Sequence, residues 1–336
     1  MKKAITPERI FQFAWGYAPP LIIDAAVRNR VFDLLDSSPQ TVRQLVQKSG
    51  SSERGLTAIL NALVAFQLLS RRGDRYSLVP ESAAFLVSNK PAFLGGIFRH
   101  MSLQSIPKWL QLEKVVHTGK PARAVNAQKT GAAFFAEFVE ALFPMGYPVA
   151  KALGEHLKIA KTKKQIRVLD LAAGSGVWGI ALAQQSPLVS ISAVDWPEVL
   201  KITKKVAKRC GVANRLTTIP GDILKADFGS GHHIATLGHI LHSEGRERSR
   251  QLLRKVFRAL EPGGTIVIAE FVANDDRTGP PNALIFAVNM LVNTDAGDAF
   301  TFKEMSGWLR DVGFAKPRQV NLGGPSPLIL ATKPGR

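Results

Sequence analysis

From Lys164 onward the chain alternates short apolar runs with helix-forming stretches: IRVLDLAA, VSISAVDW, LTTIPGD, HIATLGHIL and TIVIAEFV, the last preceded by an EPGG turn. Near-continuous runs of Val, Ile and Leu suit strands covered on both faces, with the helices between them as crossovers. That order predicts an α/β domain with a Rossmann-like, doubly wound, mostly parallel sheet, whose ligands lie at the carboxyl ends of the strands. The first run leads into a glycine turn, VLDLAAGSGVWG (168–179), where Gly174, Gly176 and Gly179 have G-x-G-x-x-G spacing. Such a turn lets backbone approach a nucleotide closely, but it does not say which nucleotide.

The acids around the turn narrow the choice. Asp195 ends the second run, nineteen residues past Gly176, where a carboxylate can take both hydroxyls of a ribose. Asp222 ends the third run, and Asp170 precedes the turn. A pyrophosphate wants backbone N–H groups and a helix N-terminus free of nearby negative charge. An adenosine ligand with no phosphate, carrying an ammonium and a sulfonium, suits three acids better. S-adenosylmethionine is such a ligand, with S-adenosylhomocysteine as its demethylated product.

The rest of the chain is read in two further parts, giving domains at 1–90, 91–163 and 164–336. In the first, TVRQLVQKSG places Val42, Leu45 and Val46 at helical spacing and stops at Gly50. Ser51 or Ser52 can cap the next stretch, where Leu56, Ile59, Leu60, Leu63 and Val64 share a face. SRRGDRYSLV then suits a hairpin turning at Gly73-Asp74. Helix, turn, helix and hairpin form a winged-helix layout. The outward positions of the second helix, Glu53, Arg54, Thr57 and Asn61, offer a single cation, so dimerisation fits this domain better than DNA reading. The segment IFQFAWGYAPPLII carries more apolar surface than so short a stretch can bury within its own domain, which predicts a homodimer. The middle part is helical and aromatic, with Phe93, Phe98, Trp109, Phe134, Phe135, Phe138, Phe143, Met145 and Tyr147. Singly these are ordinary core residues; together they can roof an apolar pocket.

Charge raises another class of partner. Forty-four Lys plus Arg against 26 Asp plus Glu give +18, enough to suggest nucleic acid or an anionic membrane. The cations are spread, however, and in the run KITKKVAKR (201–209) Ile202 and Val206 form an inward stripe with lysines outside, as on a solvated helix face. Cys210 is the single cysteine, which excludes an internal disulfide framework and suits the cytoplasm. MKKAITPER has no apolar stretch directly behind it, and the apolar run from Ile10 to Ile23 is short and broken by Pro19 and Pro20. Neither a signal peptide nor a membrane span is expected.

In order and spacing, VLDLAAGSG, AVDWPEVL, PGDIL, HILHSEGRERSRQLL, ALEPGG, VIAEFV and FTFKEMSGWLRDVGF resemble the class I S-adenosylmethionine-dependent small-molecule O-methyltransferases, of the plant caffeate and hydroxyindole type with their bacterial relatives. The resemblance covers nearly the whole chain and implies methyl transfer to a hydroxyl of an apolar, aromatic small molecule. It puts the catalytic base at His242 and the acid that orients it at Glu270. It puts the cofactor against Asp170, Gly174, Gly176, Asp195, Trp196, Asp222 and Ile223. A positioned histidine near its ordinary pKa contributes about 10²–10⁴ in rate to such a transfer, and no metal is required. Three positions depart from the pattern: His242-Ser243-Glu244 stands where the family often has His-Asp-Trp, Gly238 where plant members have lysine, and Ala299, beside Asp298, where they have a second acid.

The cluster His232, His233, His239 and His242 raises zinc, but no cysteine pair and no H-E-x-x-H helix accompany it, so no metal is expected. Carbon or nitrogen methylation, or a non-methylating reaction in the same fold, stays open as the alternative. A nucleic-acid methyltransferase lacks its Asn-Pro-Pro-Tyr type motif and second cysteine here. A cofactor-sensing winged-helix regulator lacks a cationic reading helix.

Overall fold

The structure, a computed structural model, describes residues 5–125, 128–324 and 326–335, with backbone alone for 128–134 and 136–137. The Phe134 side chain therefore lies outside the described residues. The chain divides into two compact units, Met1–Pro107 and Lys108–Arg336.

In the first unit the expected helix, turn, helix and hairpin follow one another. The helix Val42–Ser49 opens on a capping box, Thr41 accepting from the Gln44 N–H while the Gln44 side chain accepts from the Thr41 N–H, and it stops at Gly50 in the left-handed region. Ser52 is the residue that caps the helix Glu53–Ala65, accepting from the Gly55 N–H at 3.1 Å. Leu56, Leu60 and Leu63 of that helix are buried, while Ile59 and Val64 flank the same core. Strands β2 (Leu69–Arg72) and β3 (Arg75–Leu78) pair antiparallel across the Gly73-Asp74 turn, and β1 (Gln40–Thr41) adds to the outer side of β3.

The second unit holds a seven-stranded sheet in the order β6-β5-β4-β7-β8-β10-β9. Its parallel strands are β4 (Ile166–Leu171), β5 (Val189–Asp195), β6 (Leu216–Pro220), β7 (His232–Gly238) and β8 (Leu260–Ala269). Burial on both faces explains why these runs carry no polar alternation. Val168, Ile191, Ala193, Ile234 and Val267 face one core, with the helices Val177–Ala183 and Pro197–Arg209. Leu169, Leu171, Val194, Ala235, Leu237, Ile266 and Ile268 face the other, with the helices Leu241–Ala259 and Phe302–Val312. Successive residues of one strand thus enter opposite cores, as the period of two requires.

Two strands go beyond the sequence reading. β9 (Ala315–Val320) and β10 (Leu328–Thr332) close the sheet, β10 lying antiparallel between β8 and β9. AKPRQV is polar and contains Pro317, which only an edge position tolerates. The EPGG segment, expected as a turn before the strand, is drawn into β8: Gly263, at φ +81, donates its N–H to the Lys333 carbonyl. No helix among the described residues is long and apolar enough to cross a membrane.

Candidate active site

The order β5-β4-β7-β8 in a parallel sheet brings the carboxyl ends of four strands to one edge. That edge carries the glycine turn after β4, Asp195 at the end of β5, the segment 239–242 after β7, and Glu270 one residue past β8. Asp222 lies two residues beyond β6.

Gly174 and Gly176 both take positive φ, +57 and +78, which the turn into the helix Val177–Ala183 demands and which L side chains rarely adopt. Gly179 is needed for a different reason: a Cβ there would stand 2.7 Å from Ile191 Cγ2 and 3.1 Å from the Asp170 carboxylate. Asp170 has no solvent exposure, and its oxygens accept from the Gly179 N–H at 3.0 Å and the Thr236 hydroxyl at 2.7 Å. Burial pushes its carboxyl up to about 7, opposed by those hydrogen bonds and assisted by the neighbouring Asp195. Asp170 therefore fastens the first helical turn to the sheet, behind the glycine loop.

Asp195 differs in keeping some solvent contact. It accepts from the Gly174 N–H at 2.8 Å and from the Trp196 N–H at 2.7 Å, and burial lifts its carboxyl to about 6 against those bonds. A carboxylate has about four lone-pair directions, so two remain for hydroxyl donors. Trp196 is half-buried beneath Phe135 of the long helix Gln128–His156, with ring centroids 6.0 Å apart, and Val139 of the same helix reaches to 3.6 Å of where a Gly174 Cβ would sit. The aromatic middle segment thus lies over the glycine turn. Asp222 is half-buried, accepts from the Leu224 N–H at 2.7 Å and stands 3.6 Å from Arg248, while Ile223 is buried.

His242 and Glu270 come from different elements, 28 positions apart, and meet. Nδ1 of His242 lies 2.7 Å from Glu270 Oε2, and the His242 backbone N–H donates to Oε1 at 3.2 Å. The two side chains are 11% and 2% exposed, so the pair is shielded from water although the imidazole reaches the surface of the crevice. Burial works to raise the Glu270 carboxyl, but the charge and hydrogen bonds of His242, with His239, outweigh it and hold Glu270 below the ordinary carboxylate range. An ionised acid against Nδ1 favours the tautomer with its proton on that nitrogen, the one that leaves an Nε2 lone pair able to accept a proton. Phe286 packs edge-on against the His242 ring at 4.8 Å and stacks with Phe271 at 4.0 Å, giving the imidazole an apolar wall.

The three departures from the family pattern have structural counterparts. Gly238 is covered by the Trp178 indole so closely that no Cβ fits. Asp298 donates its N–H to the His242 carbonyl, but its carboxylate is held by Arg277 at 3.0 Å. Arg277 also binds the Ala299 carbonyl and Glu304, so this arginine braces the loop behind the histidine. Glu244, next but one to His242, is buried and paired with Arg248 at 2.6 Å.

Sequence reading passed over Phe286 and Asn289, and named His239 without its backbone geometry. Phe286 and Asn289 sit on the largely apolar helix Pro281–Asn293. Asn293 accepts from the buried Lys108 Nζ at 2.9 Å, and Asn289 accepts from the Trp109 indole at 3.0 Å, a polar ladder fixing the segment after Pro107 to that helix. His239 adopts φ +59 and packs on Phe271. A non-glycine residue at positive φ just after a strand has no sequence signature beyond the tolerance of His for that region.

An O-methyltransferase domain matches residues 113–315, and an O-methyltransferase dimerisation domain matches residues 11–88. The chain belongs to the O-methyltransferase family. The chain is 29% identical over 325 residues to 3-hydroxy-5-methyl-1-naphthoate 3-O-methyltransferase of Streptomyces sahachiroi, covering 95% of this chain and 92% of that protein. A solved structure of a provisionally assigned O-methyltransferase from Nostoc punctiforme superposes with a TM-score of 0.89 at 29% identity, over 98% and 100% of the two chains. Human N-acetylserotonin methyltransferase in complex with SAM shares the fold, with a TM-score of 0.85 at 22% identity over 99% of each chain. The expected family and fold class hold for this O-methyltransferase, from the parallel sheet to the helical N-terminal region.

Proposed function

We propose that this O-methyltransferase moves the methyl group of S-adenosylmethionine to a hydroxyl of an apolar aromatic molecule, with His242 as general base. The observation that carries the reading is the shielded His242–Glu270 pair, 2.7 Å apart, at the strand edge that also holds the glycine turn. The naphthoate enzyme of Streptomyces sahachiroi, by its name a 3-O-methyltransferase, supports a fused aromatic acceptor.

The crevice suits the proposed methyl donor. Asp195 keeps two lone-pair directions for ribose hydroxyls, Gly174 and Gly176 let the backbone come close, and Trp196, Ile223 and Asp222 flank the adenosine end. Asp170 contributes from behind by holding the turn. The donor, when bound, supplies an electrophilic methyl carbon on a sulfonium. A neutral phenol is a weak nucleophile until its proton leaves; His242 Nε2 takes that proton, and Glu270 stabilises the imidazolium that forms. Phe271 and Phe286 keep water from competing for the base.

The same reading includes a homodimer formed through the N-terminal segment. Phe11, Phe13, Trp15 and Tyr17 are all more than half exposed in the single chain, within the stretch where the dimerisation domain match begins. Calorimetry and a radiolabelled methyl assay with hydroxynaphthoates test the proposal. S-adenosylhomocysteine should bind and NAD should not, and label should appear on oxygen; NAD binding more tightly, or label on carbon, overturns it.

A further inference from the structure

His239, His242 and Glu270 each offer one ligand atom, and the three atoms lie within 4.8 Å of one another. We propose that these side chains form a binding site for a borderline transition-metal cation of the zinc, cobalt or nickel class, and that metal occupancy excludes acid–base catalysis at His242. The inference goes beyond methyl transfer, and its metal-binding part stands whether or not His242 is the base.

Two imidazoles and a carboxylate suit these cations, which can complete their coordination with solvent ligands. Ligand atoms about 2.0–2.1 Å from a tetrahedral metal stand about 3.3 Å apart, so His239 must close by on the order of 1 Å while His242 Nδ1 and Glu270 Oε2, now 2.7 Å apart, open by about 0.6 Å. His239 can supply the closing movement because it is exposed, while the His242 and Glu270 side chains are 11% and 2% exposed. Its backbone, at φ +59 and fixed by an N–H donated to the Ala269 carbonyl at 2.8 Å, sets the ring 6.3 Å from that of His242, centroid to centroid. Phe271 and Phe286 form the apolar flank that favours coordination over hydration. Glu270 Oε1, bonded to the His242 N–H, holds the carboxylate as a backing group orients a metal ligand.

The metal takes the place of the proton between His242 Nδ1 and Glu270 Oε2; that proton passes to Nε2, so the imidazole stays neutral with no free lone pair, and no electron changes hands. The pair then no longer serves as an imidazole with its orienting acid. The sequence reading set zinc aside for want of cysteines and of an H-E-x-x-H helix; Glu270, from another strand, supplies the third ligand that a local pattern could not contain.

The test is titration of the full-length protein with Co²⁺ alone, followed by its visible d–d absorption and by calorimetry, with Zn²⁺ as competitor. One cation per chain should bind, with bands of a nitrogen- and oxygen-ligated ion. His239→Gln and Glu270→Gln should each weaken binding about tenfold or more. His233→Gln, at the opposite end of β7, should not change it, which separates this site from adventitious binding to other histidines. Melting temperatures without metal verify that each variant is folded, and a second pair, His239→Phe with Glu270→Asp, replaces any that is not. Equal affinity in the wild type and the His239 variants, or loss of binding on changing His233, overturns the proposal.

Discussion

Replacing Glu270 with Gln keeps the size of the side chain and removes its charge, which makes it the sharpest probe of the catalytic reading. Both carboxylate oxygens accept from His242, one from the ring at 2.7 Å and one from the backbone at 3.2 Å. Glutamine has one acceptor oxygen, so one of these bonds must be lost and the survivor is no longer charge-assisted. At 2% exposure, solvent offers no substitute partner. A hydrogen bond to a charged group is worth about 1.5–3 kcal/mol. If that stabilisation is realised when His242 takes up the proton, kcat should fall roughly 10- to 150-fold, at about 1.4 kcal/mol per tenfold. Affinity for S-adenosylhomocysteine should stay near wild type, because in the proposed reading the pair serves the acceptor and not the adenosine. The assay is methyl transfer at saturating donor, with calorimetry for the product. Two results refute the reasoning: turnover near wild type across the pH range, or product affinity falling in step with turnover.

Three further outcomes are expected. Asp195→Ala should weaken S-adenosylhomocysteine binding roughly 10- to 150-fold, from the loss of about 1.5–3 kcal/mol; unchanged affinity with a collapsed melting temperature would make Asp195 a support for Gly174 alone. Asp170, pushed up to about 7 in the fold from an ordinary value near 3.8, keeps a proton that the unfolded chain has released, so its contribution to stability is full below about pH 4 and is lost as pH rises through about 7. Asp170→Asn should flatten that part of the stability curve, measured by urea unfolding across the window; an unaltered slope contradicts the assignment. Trp15→Glu with Phe13→Glu should lower the mass seen by light scattering from a dimer to the 36.5 kDa chain, and a monomeric wild type at micromolar concentration contradicts the dimer.

Much of this chain was legible because its signals are local. Apolar runs covered on both faces, the glycine turn at 174 and 176, and a serine cap act over a few residues, so a linear reading recovers the five parallel strands, the helix stop at Gly50 and a cap at Ser51 or Ser52, of which the structure uses Ser52. The resemblance likewise named His242 and Glu270, and Asp195 at a strand end, because those motifs lie in fixed order along the chain.

Contact across the sheet decided the rest. Strand order, which sequence does not state, set Asp170 against Thr236 from the neighbouring strand, where a buried acid becomes part of the turn's scaffold. It inserted β10 between β8 and β9, antiparallel, where a polar last strand tolerates the edge. It filled the space at Gly238 with the Trp178 indole, while folding of the segment between β8 and β9 gave Asp298 to Arg277. It also brought His239 and Glu270, each one residue past a different strand, to the same imidazole. Periodicity and spacing record what a residue needs from its neighbours in the chain; which distant side chain supplies a partner depends on strand order and on what remains unpaired once water is excluded.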